Sequence, residues 1–299
     1  MGRNNGDAVF VAAIAGSMAA GILFPAIGLL VEPYILVWLG ALLFLNLIRL
    51  KTADLVTTFT KPRQLAVLSF VKLVGLPVAM YALTYAIYEP FALPVLLLSG
   101  ISTGLGAPFV VNLIGGRLPL VVGMIIATSL AVPFVQPSIV YALVGSQFDI
   151  PVLHMVFLLS AALFTPLAAG WLIKKYLPSA SRFADNNSFP LSLVFIVLIN
   201  FGMFAKFSGY FYEDQVFMLQ TMATASLCYA AYSLVGYVST AGSRHERTAG
   251  LISMTYINNV LVAVFAFQFF GPPVAALAVL YNIPYYAGIV AIKKVMPKY

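Results

Sequence analysis

Apolar runs of about twenty residues recur along this chain, joined by short polar connections, and that recurrence decides what it can fold into. A helix needs about twenty apolar residues to cross the hydrocarbon core of a bilayer. In lipid the backbone must satisfy its own hydrogen bonds, which selects helices for such runs. Ten candidate spans can be read, at 8–30, 34–49, 64–87, 92–114, 119–145, 151–174, 189–208, 214–240, 248–270 and 273–293. Composition agrees: the chain is 62% hydrophobic and 8% charged, against about 25% charged in a soluble domain. The expected fold is an all-α polytopic membrane protein of ten transmembrane helices. The first run continues past Phe24-Pro25 to Val31, which is long for a signal-peptide core, and is read as a retained span. Cys228 is the single cysteine, so no internal disulfide can form, and no Cys/His spacing suggests a metal site.

The net charge of +7 is not a nucleic-acid footprint, because of where it falls. With the N-terminus in the cytoplasm, Arg3, Arg49, Lys51, Lys61, Arg63, Arg117, Lys174, Lys175, Arg182, Arg244, Arg247, Lys293, Lys294 and Lys298 fall inside. Lys206 falls outside, together with the acids Glu32, Glu89, Asp149, Glu213 and Asp214. That asymmetry places both termini in the cytoplasm of a plasma or inner membrane. The basic residues read as topology signals and lipid-facing anchors.

The chain divides near residue 150 into two halves of five spans, 1–150 and 151–299. Lys72-Leu-Val-Gly75 in the third span is echoed by Ser233-Leu-Val-Gly236 in the eighth. Gly116-Arg-Leu-Pro119 and Gly271-Pro-Pro273 open the fifth span of each half, and Asn46 and Asn200 lie late in the second. An odd number of spans per half makes the second repeat inverted, an arrangement of secondary transporters.

Chemistry is expected where spans are interrupted at mid-depth. The fourth span reads Ser99-Gly-Ile-Ser-Thr-Gly-Leu-Gly-Ala-Pro108. Its glycines remove packing, and its proline removes a backbone donor. The freed groups need protein or a water-filled cavity as partner. The ninth span, at the matching repeat position, carries Ser253, Thr255, Tyr256, Asn258 and Asn259. The two spans should cross and form the site, with Ser102, Thr103, Gly104, Gly106, Pro108 and Asn112 from one and Thr255, Tyr256, Asn258 and Asn259 from the other. The alternative is that small and polar residues merely let helices pack closely. Lys72 adds the one charge at mid-bilayer depth. An ammonium there costs roughly 2.5 kcal/mol or more, which marks a functional site. It lies nine residues in from Arg63, roughly 13 Å, too deep for easy snorkelling; the bland alternative is a lysine that caps carbonyls of the fourth or ninth span. An electropositive pocket without carboxylates suits an anionic substrate.

These motifs resemble the bile acid:sodium symporter superfamily. The resemblance rests on Gly21-Ile-Leu-Phe-Pro25, on Leu39 to Leu50, on Lys61-Pro-Arg, and on Gly106-Ala-Pro-Phe109 with Gly116-Arg-Leu-Pro-Leu. Glu246-Arg-Thr248 and Phe270-Gly-Pro272 complete it. It covers nearly the whole chain. It implies two inverted five-helix repeats, a panel of helices 1, 2, 6 and 7, and a core in which helices 4 and 9 cross. It also implies an organic anion as substrate, commonly carried with sodium. The chain departs from that pattern at the sodium ligands. Ala107 and Pro108 stand at the Ser-Asn pair of helix 4, and Val121 and Ile125 at the hydroxyls of helix 5. Ile252 or Met254 stands at the glutamate of helix 9, and Lys72 at the glutamine of helix 3.

The expectation is therefore a secondary transporter of a small organic anion working by alternating access, sodium-independent, with Lys72 in place of the cation. No cofactor is expected, and proton coupling through Lys72 is the alternative to uncoupled exchange. Rival readings are a sodium-coupled symporter, an auxin-efflux-type carrier and, further off, a membrane receptor or a channel. No catalytic constellation supports an enzyme. The expected partners are the substrate and the lipid bilayer, not nucleic acid.

Overall fold

The structure, a computed structural model of the chain, describes residues 3–48, 61–145 and 150–295. Its helices, in chain order, are α1 (Arg3–Leu23), α2 (Pro25–Val31), α3 (Ile35–Ile48), α4 (Pro62–Phe70), α5 (Leu76–Ile87) and α6 (Ala92–Gly100). Next come α7 (Ala107–Ile114), α8 (Leu118–Val144), α9 (Val152–Tyr176), α10 (Pro178–Asn186), α11 (Ser188–Lys206) and α12 (Ser208–Glu213). The series ends with α13 (Gln215–Ser239), α14 (Arg244–Thr255), α15 (Asn259–Phe270), α16 (Pro272–Leu280) and α17 (Asn282–Val295). Among the described residues no strand forms; one isolated antiparallel bridge joins Thr103 to Ile257.

Among the described residues, four helical stretches are long and apolar enough to cross a bilayer: Pro25–Leu42, Pro62–Ile87, Leu118–Val144 and Val152–Tyr176. A fifth results if Pro178–Asn186 and Pro190–Lys206, bent by 75°, form one span. Of the other expected spans, 214–240 is one unbroken helix, α13, while the fourth and ninth are interrupted. Glu89–Gly100 and Asn259–Phe270 are apolar half-length pieces. The first expected span breaks at Phe24 (φ −125°, ψ 57°), because Pro25 excludes the helical region for its predecessor. The last breaks at Tyr281. The helix α10 was not anticipated in the polar connection after Tyr176.

The chain forms two compact units, each drawing on both halves of the sequence. Unit 1 comprises residues 1–50 and 161–220, and unit 2 comprises residues 51–160 and 221–299. In unit 1, α1 and α2 lie against α11. The approach is close enough that a Cβ on Gly21 would meet the Phe201 carbonyl oxygen at 2.7 Å. Lys206 and Glu32 form an ion pair there. Trp38 stacks on Phe195 at 5.8 Å.

In unit 2 the helix pair α4–α5 is joined by a π turn, Val71–Gly75, in which the Leu76 N–H donates to the Val71 carbonyl, five residues back. Pro77 has no N–H to donate to Leu73, so the regular ladder is interrupted at this point. α8 runs unbroken through Pro133 and Pro137 and supplies Gln136, whose Nε2 donates to the Leu97 carbonyl at 2.9 Å.

Candidate functional site

Both interrupted spans belong to unit 2, and their breaks meet. The first lies between α6 and α7, where Ile101 turns extended (φ −76°, ψ 158°). The second lies between α14 and α15, at Tyr256–Asn258. Each break frees backbone groups that a continuous helix would pair, and these groups pair with each other. Gly104 N–H donates to the Tyr256 carbonyl at 2.7 Å, and Asn258 N–H donates to the Ser102 carbonyl at 2.9 Å. The crossing is thus a one-rung antiparallel ladder. Gly104 is required by proximity: a Cβ there would lie 2.6 Å from the Ile257 carbonyl carbon.

The other carbonyls at the end of α14 are each taken by a side chain. Ser253 O would ordinarily accept from Ile257 N–H, which bonds Thr255 O instead; Thr103 Oγ1 donates to Ser253 O at 2.8 Å. Thr255 O also accepts from the Tyr281 hydroxyl at 2.9 Å. Met254 O would ordinarily accept from Asn258 N–H, which is committed to Ser102. Lys72 takes it, with Nζ 3.0 Å from Met254 O. The Lys72 amine therefore lies at the C-terminal end of α14, where the helix dipole is negative and favours its charged form. Lys72 is fully buried, and its Nζ lies 5.5 Å from the Tyr232 ring centroid. Tyr232 is held by a 2.7 Å hydrogen bond with Ser99. None of the ion pairs among the described residues involves Lys72.

Of the residues singled out in the sequence, Lys72, Ser102, Thr103, Gly104, Thr255, Tyr256, Asn258 and Asn259 come together at the crossing and are buried. Ser102 Oγ and both side-chain polar atoms of Asn259 are buried without a partner. Asn258 Oδ1 accepts from Leu261 N–H at 3.4 Å and caps α15. Gly106 is exposed and lies beside the Tyr285 hydroxyl, which a Cβ would meet at 2.6 Å. Pro108 is half-buried in the first turn of α7, and Asn112 is exposed further along that helix, away from the crossing. The sequence reading missed Tyr232, Tyr281 and Thr128, which accepts from Thr103 N–H at 3.0 Å. Single hydroxyl residues in long apolar runs carry no periodic or motif signal. Asn46 and Asp149 lie where no side chain is described.

A second cluster lies at the start of α14, before the expected ninth span. Ser243 and Glu246 form a capping box, and Glu246 Oε1 lies 2.5 Å from both Lys61 Nζ and Arg117 Nη1. Gly242 (φ +114°) makes the turn that lets Glu246 approach the backbone. The Lys61 hydrogen bond, then the Ser243 N–H, then Arg117 pull the Glu246 pKa down to about 2. Lys61 and Arg117, read from sequence only as topology signals, are thus structural partners of one carboxylate.

The sequence profile of the sodium bile acid symporter family matches residues 36–213, about three fifths of the chain. This chain belongs to that family. It is a multi-pass membrane protein of the bile acid symporter type of transporter, not an enzyme family. No curated protein sequence matches it. The profile match stops before α13, so half of the crossing, α14 and α15, stands on geometry alone.

Proposed function

We propose that this family member carries a small organic anion by alternating access, without sodium, and that the Lys72 ammonium holds the crossing that a sodium ion holds in relatives with the usual ligands. The observation that carries this reading is the Lys72–Met254 hydrogen bond at the break. A cation at a helix C-terminus does the same electrostatic work whether it is an alkali ion or an ammonium. The positions where the family resemblance expects sodium ligands hold Ala107, Pro108, Val121 and Ile125, and none of these side chains can coordinate a hard cation. The first turns of α7 and α15, with Ser102 Oγ and the Asn259 amide unpartnered beside them, offer donors and a positive dipole end to a carboxylate. The full topology of this reading is ten spans in two inverted repeats, 1–150 and 151–299, with both termini cytoplasmic.

Proteoliposome uptake of radiolabelled small carboxylates, in sodium and in choline media across pH, tests this. Equal uptake in the two media is the expected result. Uptake that requires sodium would establish the rival sodium-coupled reading, which the family's name favours. Uptake that follows an imposed proton gradient and loses that dependence in Lys72→Gln would assign the coupling proton to Lys72.

A further inference from the structure

Unit 1 ends α9 in a run of exposed side chains. Trp171, Tyr176, Leu177 and Phe183 are 60%, 63%, 55% and 64% exposed. Contiguous exposed apolar surface of this kind marks contact with a membrane or partner. The basic residues Lys174, Lys175 and Arg182 are exposed among them, against the single acid Asp185. None of the three joins an ion pair among the described residues. Lys175 Nζ instead lies 4.9 Å from the Trp171 ring centroid and 5.1 Å from that of Tyr176. Such an arrangement gathers an ammonium and two aromatic rings without neutralising the charge.

The backbone sets this group at a corner. α10 bends by 75° from the stretch Pro190–Lys206 that follows, so it runs across that stretch and not along it. Its Ala184 is buried in a cluster with Leu45, Phe44, Leu191 and Phe195, while Arg182 and Phe183 remain exposed. One side of α10 is seated on unit 1 and the other presents a cation beside an aromatic ring.

We propose that this corner, from Trp171 to Phe183, docks an anionic phospholipid headgroup, held by Lys174, Lys175 and Arg182 while Trp171, Tyr176 and Phe183 sit at the headgroup–acyl boundary. Aromatic residues alone suit any bilayer interface. The uncompensated cations add selectivity for negative headgroups.

The two tryptophans of the chain, Trp38 and Trp171, make this measurable. Trp38 Nε1 has no hydrogen-bond partner, so Trp38→Phe keeps the ring stacking and leaves Trp171 as the sole emitter. The full chain with Trp38→Phe is reconstituted in phosphatidylcholine–phosphatidylglycerol vesicles, with brominated chains on one lipid or the other. Brominated phosphatidylglycerol should quench Trp171 with an association constant about threefold to tenfold that of brominated phosphatidylcholine. The ratio should fall toward one in Lys174→Gln/Lys175→Gln/Arg182→Gln, stay high in Lys175→Arg, and shrink with added salt. Equal quenching by the two lipids, or a preference that survives the charge-removing variant, overturns the proposal. So does weak quenching by both lipids, the sign of a corner covered by a second copy of the chain.

Discussion

Lys72 and Gly104 show how single residues hold the crossing. Removing the Lys72 amine leaves the Met254 carbonyl without its donor, costing about 1–3 kcal/mol. Removing a desolvated cation offsets part of that cost. Lys72→Met, similar in volume, should therefore shift the melting temperature of the detergent-purified protein by only a few degrees, roughly 1 kcal/mol, yet lower carboxylate uptake at least tenfold. A variant that melts like the wild type and transports normally would remove Lys72 from the mechanism. Gly104 offers no such separation. A methyl group at Gly104 would press on the Ile257 backbone, which cannot rotate away as a side chain would. Gly104→Ala should cost about 3 kcal/mol or more, read as loss of monodisperse protein on size-exclusion chromatography.

At the scale of elements, the α14 N-terminus is tied to the start of α4 and the start of α8 through one carboxylate. The Glu246 pKa is about 2 in the folded protein and 4.5 ordinarily. A depressed carboxyl pKa gives stability that is complete above about pH 4.5 and lost as pH falls through about 2. Melting curves of wild type and Glu246→Gln should therefore differ most near neutral pH, with the variant lower, and converge only as pH falls to about 2. A gap that is constant with pH would mean that shape and not charge holds the cluster. The π turn Val71–Gly75 is the other element-scale device. It places Lys72 within a turn whose hydrogen bond reaches back five residues, a distortion frequent at functional sites.

At the scale of the whole molecule, the sodium-independent reading proposed above puts the Lys72 amine at the crossing in place of an alkali ion. Thermal melts in sodium chloride and in choline chloride should coincide within about 1 °C, since a ligand that binds the native state raises its apparent stability; a sodium-dependent rise would reinstate the cation. The sequence by itself determined the membrane class, the helical content and the two interrupted segments, because these depend on local runs of apolar residues and on glycine and proline chemistry. It also pointed to Lys72 through the cost of charge in lipid. It misjudged the continuity of the first and last spans, where Pro25 and Tyr281 break them, and it left α10 unread because a short amphipathic helix in a polar connection has little periodic signal. It could not supply the partners. That Met254 O is the carbonyl Lys72 takes, that Tyr232 lies beside the ammonium, and that Glu246 joins Lys61 and Arg117 were decided only by tertiary structure. Those pairings span 182, 185 and 129 positions in the chain, and separations of that size leave no trace in spacing or composition.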